Sequence, residues 1–176
     1  MDLMTMMLGA QGGGAIQQLA QQFGIGEEQA RAAVAKMVPA LSRGLKRDLA
    51  DPDNAAGLMR ALQRGGHQRY VDQPETLAAP ETVADGNAIL GHLFGSKEVS
   101  RQVAERVGGD TGLDSGMVKQ MLPMVAALLM GSLSKQTAAQ GGDGEGLMGM
   151  LGGLLDADGD GSVVDDLMGM AGRFFR

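Results

Sequence analysis

One series of apolar residues, spaced in steps of three and four, occurs twice in this chain and restricts its folding more than any other feature. Gly24-Ile25 followed by Ala30, Ala33, Val34, Met37, Leu41 and Leu45 returns 88 positions later as Gly112-Leu113 followed by Val118, Met121, Leu122, Val125, Leu129 and Leu133. Side chains three and four apart share one face of a helix, whereas a strand alternates every second residue, so the repeated unit is helical. Weaker matches extend it. Gly57-Leu58-Met59 with Leu62 parallels Gly146-Leu147-Met148 with Leu151 at an offset of 89, and Leu19–Gly24 parallels Val103–Gly108 at an offset of 84. The shorter upstream offset predicts an inserted loop around Gly108 to Thr111. The expected architecture is all-α: a multi-helix bundle of two related halves, about 1–72 and 81–135, then a linker over 136–146 and a helix–acidic loop–helix tail over 147–176.

Local signals agree with helices. Glu27 and Glu28 place carboxylates at the positive end of a helix dipole. Asp114 and Ser115 are natural caps, and Asp51-Pro52-Asp53 reads as a cap followed by proline in the first turn. Pro39 and Pro123 fall within helical stretches, where a missing donor and a steric clash predict a kink or a restart. They do not align at the repeat offset, so the halves are relatives and not copies. Asp72-Gln73-Pro74-Glu75 and Ala79-Pro80-Glu81 punctuate a connector between the halves, and Thr137 to Gly146 reads as a second linker, rich in Gly, Ala and Gln.

Composition narrows the chemistry. The aromatic set is Phe23, Tyr70, Phe94, Phe174 and Phe175, so core volume must come from aliphatic residues and fourteen methionines. With no cysteine there are no disulfides, thiol nucleophiles or cysteine-ligated metals. The N-terminus lacks the basic and apolar regions of a secretory signal, and the most apolar run, Met121 to Gly131, is far shorter than the roughly 20 residues of a membrane span. A cytoplasmic protein without a transmembrane segment is the expectation. The net charge of −6 and the scarcity of aromatics argue against nucleic-acid binding. Charge is also uneven. Residues 27–71 hold eight basic residues against five acids, while from Gln136 onward seven acids face only Arg173 and Arg176. This asymmetry could steer head-to-tail association of like molecules, or mark two solvated faces of opposite sign.

The stretch Gly86-Asn87-Ala88-Ile89-Leu90-Gly91-His92-Leu93-Phe94-Gly95, with Gly112-Leu113, Met121-Leu122-Pro123-Met124 and Gly131-Ser132-Leu133, resembles the bacterial domain-of-unknown-function family nine-three-seven. Gly24-Ile25 through Pro39-Ala40-Leu41, Asp51-Pro52 and Ala61-Leu62 are similar to the family's N-terminal half, and some members continue into a Gly-Leu-rich tail ending as Asp158-Gly159-Asp160-Gly161-Ser162 does here. The resemblance covers nearly the whole chain. It implies an all-helical bacterial protein and no particular chemistry.

One pattern carries metal chemistry. In Asp156-Ala157-Asp158-Gly159-Asp160-Gly161-Ser162-Val163 three carboxylates alternate and a glycine follows the third, matching positions 1, 3, 5 and 6 of a calcium loop. Ser162 would offer its carbonyl at position 7. Position 12, where a bidentate Glu belongs, is Leu167, and Asp166 is the nearest substitute. Asp156, Asp158, Asp160, Ser162 and Asp166 are therefore the candidate ligands for weakly bound calcium. Alternatively, Asp160 or Ser162 caps the final helix. No catalytic motif is present, and the seven serines have no base beside them. His92 is the one residue around which a small enzyme with a pocket between the halves could be built; a structural role is the alternative. Met117, Met121 and Met124 share a face with Leu128, as either core or an adaptable groove. The glycines of the tail, beside Leu and Met, suit close helix packing or docking on another subunit. The expected function is a noncatalytic helical binding or self-assembly protein, self-associating or with a protein partner. A calcium-responsive regulatory module is the second reading, and an enzyme using His92 is the third.

Overall fold

The computed structural model describes residues 13–63 and 66–139. Among them are seven α-helices and no strand, in agreement with the all-α expectation. They are α1 Gly13–Phe23, α2 Glu27–Leu49, α3 Pro52–Gln63, α4 Arg69–Asp72, α5 Pro80–Phe94, α6 Lys97–Thr111 and α7 Ser115–Ala139, with 3-10 turns at Gly66–Gln68 and Pro74–Ala78.

The sequence repeat is a repeat of structure. Helix α1 and the start of α2 flank Gly24 at φ 63°, and α6 and the start of α7 flank Gly112 at φ 73°. Helices α2 and α7 begin at Glu27 and Ser115, the same 88 positions apart. A left-handed residue reverses the chain after each first helix, and glycine adopts it without a Cβ penalty. The repeated apolar positions Ala30, Val34, Met37, Leu41 and Leu45, and Val118, Leu122, Val125, Leu129 and Leu133, are all buried. No loop is inserted at Gly108 to Thr111. Those residues are the last turn of α6, and the changed offset reflects extra helix before the reversal.

Caps form where expected. Asp51 Oδ1 accepts from the Asp53 and Asn54 amides at 2.9 and 3.3 Å, and Asp114 Oδ1 accepts from Gly116 and Met117 at 2.9 and 3.2 Å. Neither internal proline restarts its helix, since α2 runs through Pro39 and α7 through Pro123.

Helix α7 is the axis of the core. From Met121 to Ser134 every residue is buried, with α5 and α6 packed along it and α3, α4 and both 3-10 turns closing round it. Met121, Met124 and Leu128 lie in this core and Met117 packs against it, so the methionine stripe is core. A helix apolar on all sides belongs inside a bundle. Burying one such Leu or Met is worth about 1.5–3 kcal/mol. Close approach is set by Gly86 on α5, where a Cβ would lie 1.9 Å from the Pro123 carbonyl oxygen. Gly131 similarly admits the His67 carbonyl.

Helix α7 is long and apolar enough to cross a membrane, longer than its apolar run suggests because Ser132, Ser134 and Thr137 continue it. Its most apolar window is 78% buried inside the bundle, which accounts for that character. Ser132 and Thr137 hydroxyls donate to carbonyls one turn back at 2.9 Å, and Ser134 donates to Leu62 O at 3.3 Å. The helix also takes Gln136 to Ala139 from the stretch expected to be linker. The connector at Pro74–Ala78 packs into the body as well, with Leu77 buried and the Pro74 ring against Gly14.

Candidate functional site

The residue pattern of α2 has two faces. One buries the repeated apolar positions; the other carries Lys36, Pro39, Ala40, Arg43 and Arg47, again at helical steps. Helix α6 presents Val99, Gln102, Val103, Arg106 and Asp110 at the same period. Where these faces meet, beside the last turn of α5, they enclose a cleft of about 450 Å³. Its floor is apolar, formed by Phe94, Val99, Val103 and Val107 with Leu93 at one end. Its rim carries four cations, Lys36, Arg43, Arg47 and Arg106, against a single carboxylate, Asp110.

The cations are not equivalent. Arg47 is part of the framework: its Nη2 donates to the Leu93 carbonyl at 2.9 Å, where α5 ends in Gly95 at φ 71°. A cation at that position satisfies a terminal carbonyl and complements the negative end of the dipole. The contact is possible because Gly44 lets α2 meet α5 closely; a Cβ there would be 2.6 Å from Leu93 O. Lys36 reaches across to Asp110 at 3.6 Å, an exposed pair of little energetic weight. Arg43 donates from Nε to Pro39 O in its own helix at 3.2 Å. Among the described residues, neither Arg43 nor Arg106 is paired with a carboxylate, and both side chains are exposed. The cleft thus offers cationic donors above an apolar floor, and among the described residues its lining includes no Ser, Thr, Cys or His.

A second polar cluster lies elsewhere. Tyr70 is fully buried as a residue, and its hydroxyl donates to Asp85 while accepting from Arg69 Nη2 at 2.9 Å. Arg69 also pairs with Asp85 at 3.4 Å and stacks over the Tyr70 ring. Burial, then the bond to Asp85, pushes the Tyr70 hydroxyl pKa up. This network ties α4 to α5 and gives a buried ring's polar tip its partners. His67 leans on the same ring, with centroids 6.0 Å apart, and burial lowers its pKa.

His92, around which a pocket between the halves was expected, does not line this cleft. It is exposed on the last turn of α5 and is absent from the cleft lining, although Leu93 and Phe94 beside it are present there. The candidate calcium ligands Asp156, Asp158, Asp160, Ser162 and Asp166 lie outside the described residues. Among the described residues, no three acidic or histidine side chains converge as a metal site. The positive character of residues 27–71 is legible in the sequence, but Arg106 and the floor of α6 are not. Only the packing of α6 on α2 joins them.

The family model for bacterial proteins of unknown function, DUF937, matches residues 5–136. The chain belongs to the DUF937 family. That match takes in both helix–glycine–helix units and the whole cleft, so the cationic face lies within the family's region. No curated protein matches the chain, and no solved structure matches it.

Proposed function

We propose that this DUF937 protein is a noncatalytic helical binding protein that self-assembles, and that the cleft between α2 and α6 is its receiving face. The observation that supports this reading is the pairing of an apolar floor with exposed Arg43 and Arg106, which have no carboxylate partner among the described residues. Such a surface favours a polypeptide segment carrying both apolar and acidic side chains, because guanidinium–carboxylate bonds gain strength beside apolar, water-poor surface. Charge asymmetry along the chain adds a long-range steering force between copies. In the cleft Lys36 and Asp110 are paired with each other and exposed, and His92 faces solvent, so the lining is read as a binding surface.

The test is size-exclusion chromatography with light scattering on the full chain, in calcium and in chelator, across concentration and salt. The mass of the wild type should rise with concentration and fall with salt, and Arg43→Glu with Arg106→Glu should hold the chain at monomer mass. A wild-type monomer at every concentration, with and without calcium, would remove the assembly reading.

A further inference from the structure

The cleft suits a segment in which carboxylates are flanked by apolar side chains, and the chain itself contains one. Residues 143–167 hold seven acids and no basic residue. Within them Asp156, Asp158 and Asp160 follow Leu154-Leu155, and Asp165-Asp166 sit between Val164 and Leu167. Resting on the assembly reading above, we propose that this segment of a second copy docks in the cleft, so that copies join head to tail.

Two observations favour a neighbouring copy. Charge complementarity comes first: the cleft gathers four cations around an apolar floor, whereas the segment places carboxylates beside leucine and valine. A volume of about 450 Å³ takes the side chains of one segment and not a folded face, being near the low end of the roughly 300–1,000 Å³ of ligand pockets. The second is position. The C-terminal part of α7 is held by Leu62, Gln68 and Asp72, on α3, the first 3-10 turn and α4, through bonds to Ser134 and Lys135. The cleft is walled instead by α2 and α6. The contacts that hold the end of α7 are thus not those that wall the cleft, so the segment that follows α7 does not begin beside it. Because the donor segment and the receiving cleft are different surfaces, the contact is heterologous and extends into a chain of copies unless rotation closes a ring.

Two full-length variants test this in chelator. One has a reversed cleft, Arg43→Glu with Arg106→Glu; the other has a reversed segment, Asp156→Lys with Asp158→Lys and Asp160→Lys. Circular dichroism should show wild-type helicity in both. Each alone should remain a monomer at concentrations where wild type assembles. Mixed one to one, they should assemble again, since the native segment of one variant meets the native cleft of the other and the two reversed surfaces are complementary as well. A chain carrying both reversals should regain assembly. If wild type assembles but the mixture stays monomeric, the segment is not the occupant, while self-assembly by another surface stands. If wild type is itself a monomer, the assembly reading fails and this one with it. Should the reversed cleft lose helicity, Arg43→Gln with Arg106→Gln replaces it, with assembly weakened at least tenfold expected; unchanged assembly would overturn the proposal.

Discussion

Gly86 and Gly91 sit on the same helix five residues apart, yet the structure assigns them opposite consequences. A methyl group at Gly86 would collide with the Pro123 carbonyl, a rigid backbone atom that cannot turn aside as a side chain would. Gly86→Ala should therefore destabilise the bundle by about 3 kcal/mol or more, at the upper end of overpacking costs. Gly91 has open space around its Cβ direction, so Gly91→Ala should stabilise by roughly 0.5–1 kcal/mol through helix propensity. Urea denaturation of both variants checks the contrast. Equal effects would mean that α5 does not approach α7 as described. At the same scale, His67 gives the protein a pH dependence. Burial lowers its folded pKa below the usual value of about 6.5, so the unfolded chain takes up the proton first as pH falls. This contribution to stability is complete above about 6.5 and is lost as pH drops through the folded value. The difference in Tm between pH 7.5 and pH 5.5 should shrink in His67→Gln.

The two hairpins α1–α2 and α6–α7 show how much an element owes to one backbone position. Gly24 and Gly112 both have positive φ and open surroundings, so an added Cβ costs backbone strain and no collision. Gly24→Ala and Gly112→Ala should each cost about 1–2 kcal/mol, measurable by denaturation. A cost confined to one of them would mean that the two turns are not equivalent. These turns are legible in the sequence because a glycine ends one apolar series and begins the next. The prolines are less legible. Pro39 and Pro123 deprive their helices of one donor each, but α2 and α7 each pack against several other helices. Tertiary packing outweighs a single lost hydrogen bond, and it supplies most of a helix's stability in a folded protein. For the same reason Gln136 to Ala139 continue α7, although their composition reads as a linker.

Across the molecule, charge is the property with the largest reach. The chain is acidic overall, yet the cleft between α2 and α6 is cationic, and residues beyond Gln136 carry the opposite sign. Exposed charges of this kind act over about one Debye length, near 8–10 Å at moderate salt, so assembly through them should weaken steadily as salt rises. Helical class, the doubled hairpin, the caps at Asp51 and Asp114 and the membership in DUF937 are all decided by local order, because helix periodicity, capping and glycine reversals depend on residues within a few positions of each other. Which of the two helical faces on α2 and α6 would meet, and so whether Lys36, Arg43 and Arg106 would form one surface or three solvated points, is decided by the packing of α5, α6 and α7. That packing follows from contacts such as Gly44 on Leu93 and Gly86 on Pro123, between residues 49 and 37 positions apart, and no local pattern encodes such distances. The same holds for His92 and Tyr70. The sequence presents a histidine within a motif and a lone tyrosine, while the fold exposes the first and buries the second among Arg69 and Asp85, because side-chain partners are chosen only when the helices come together.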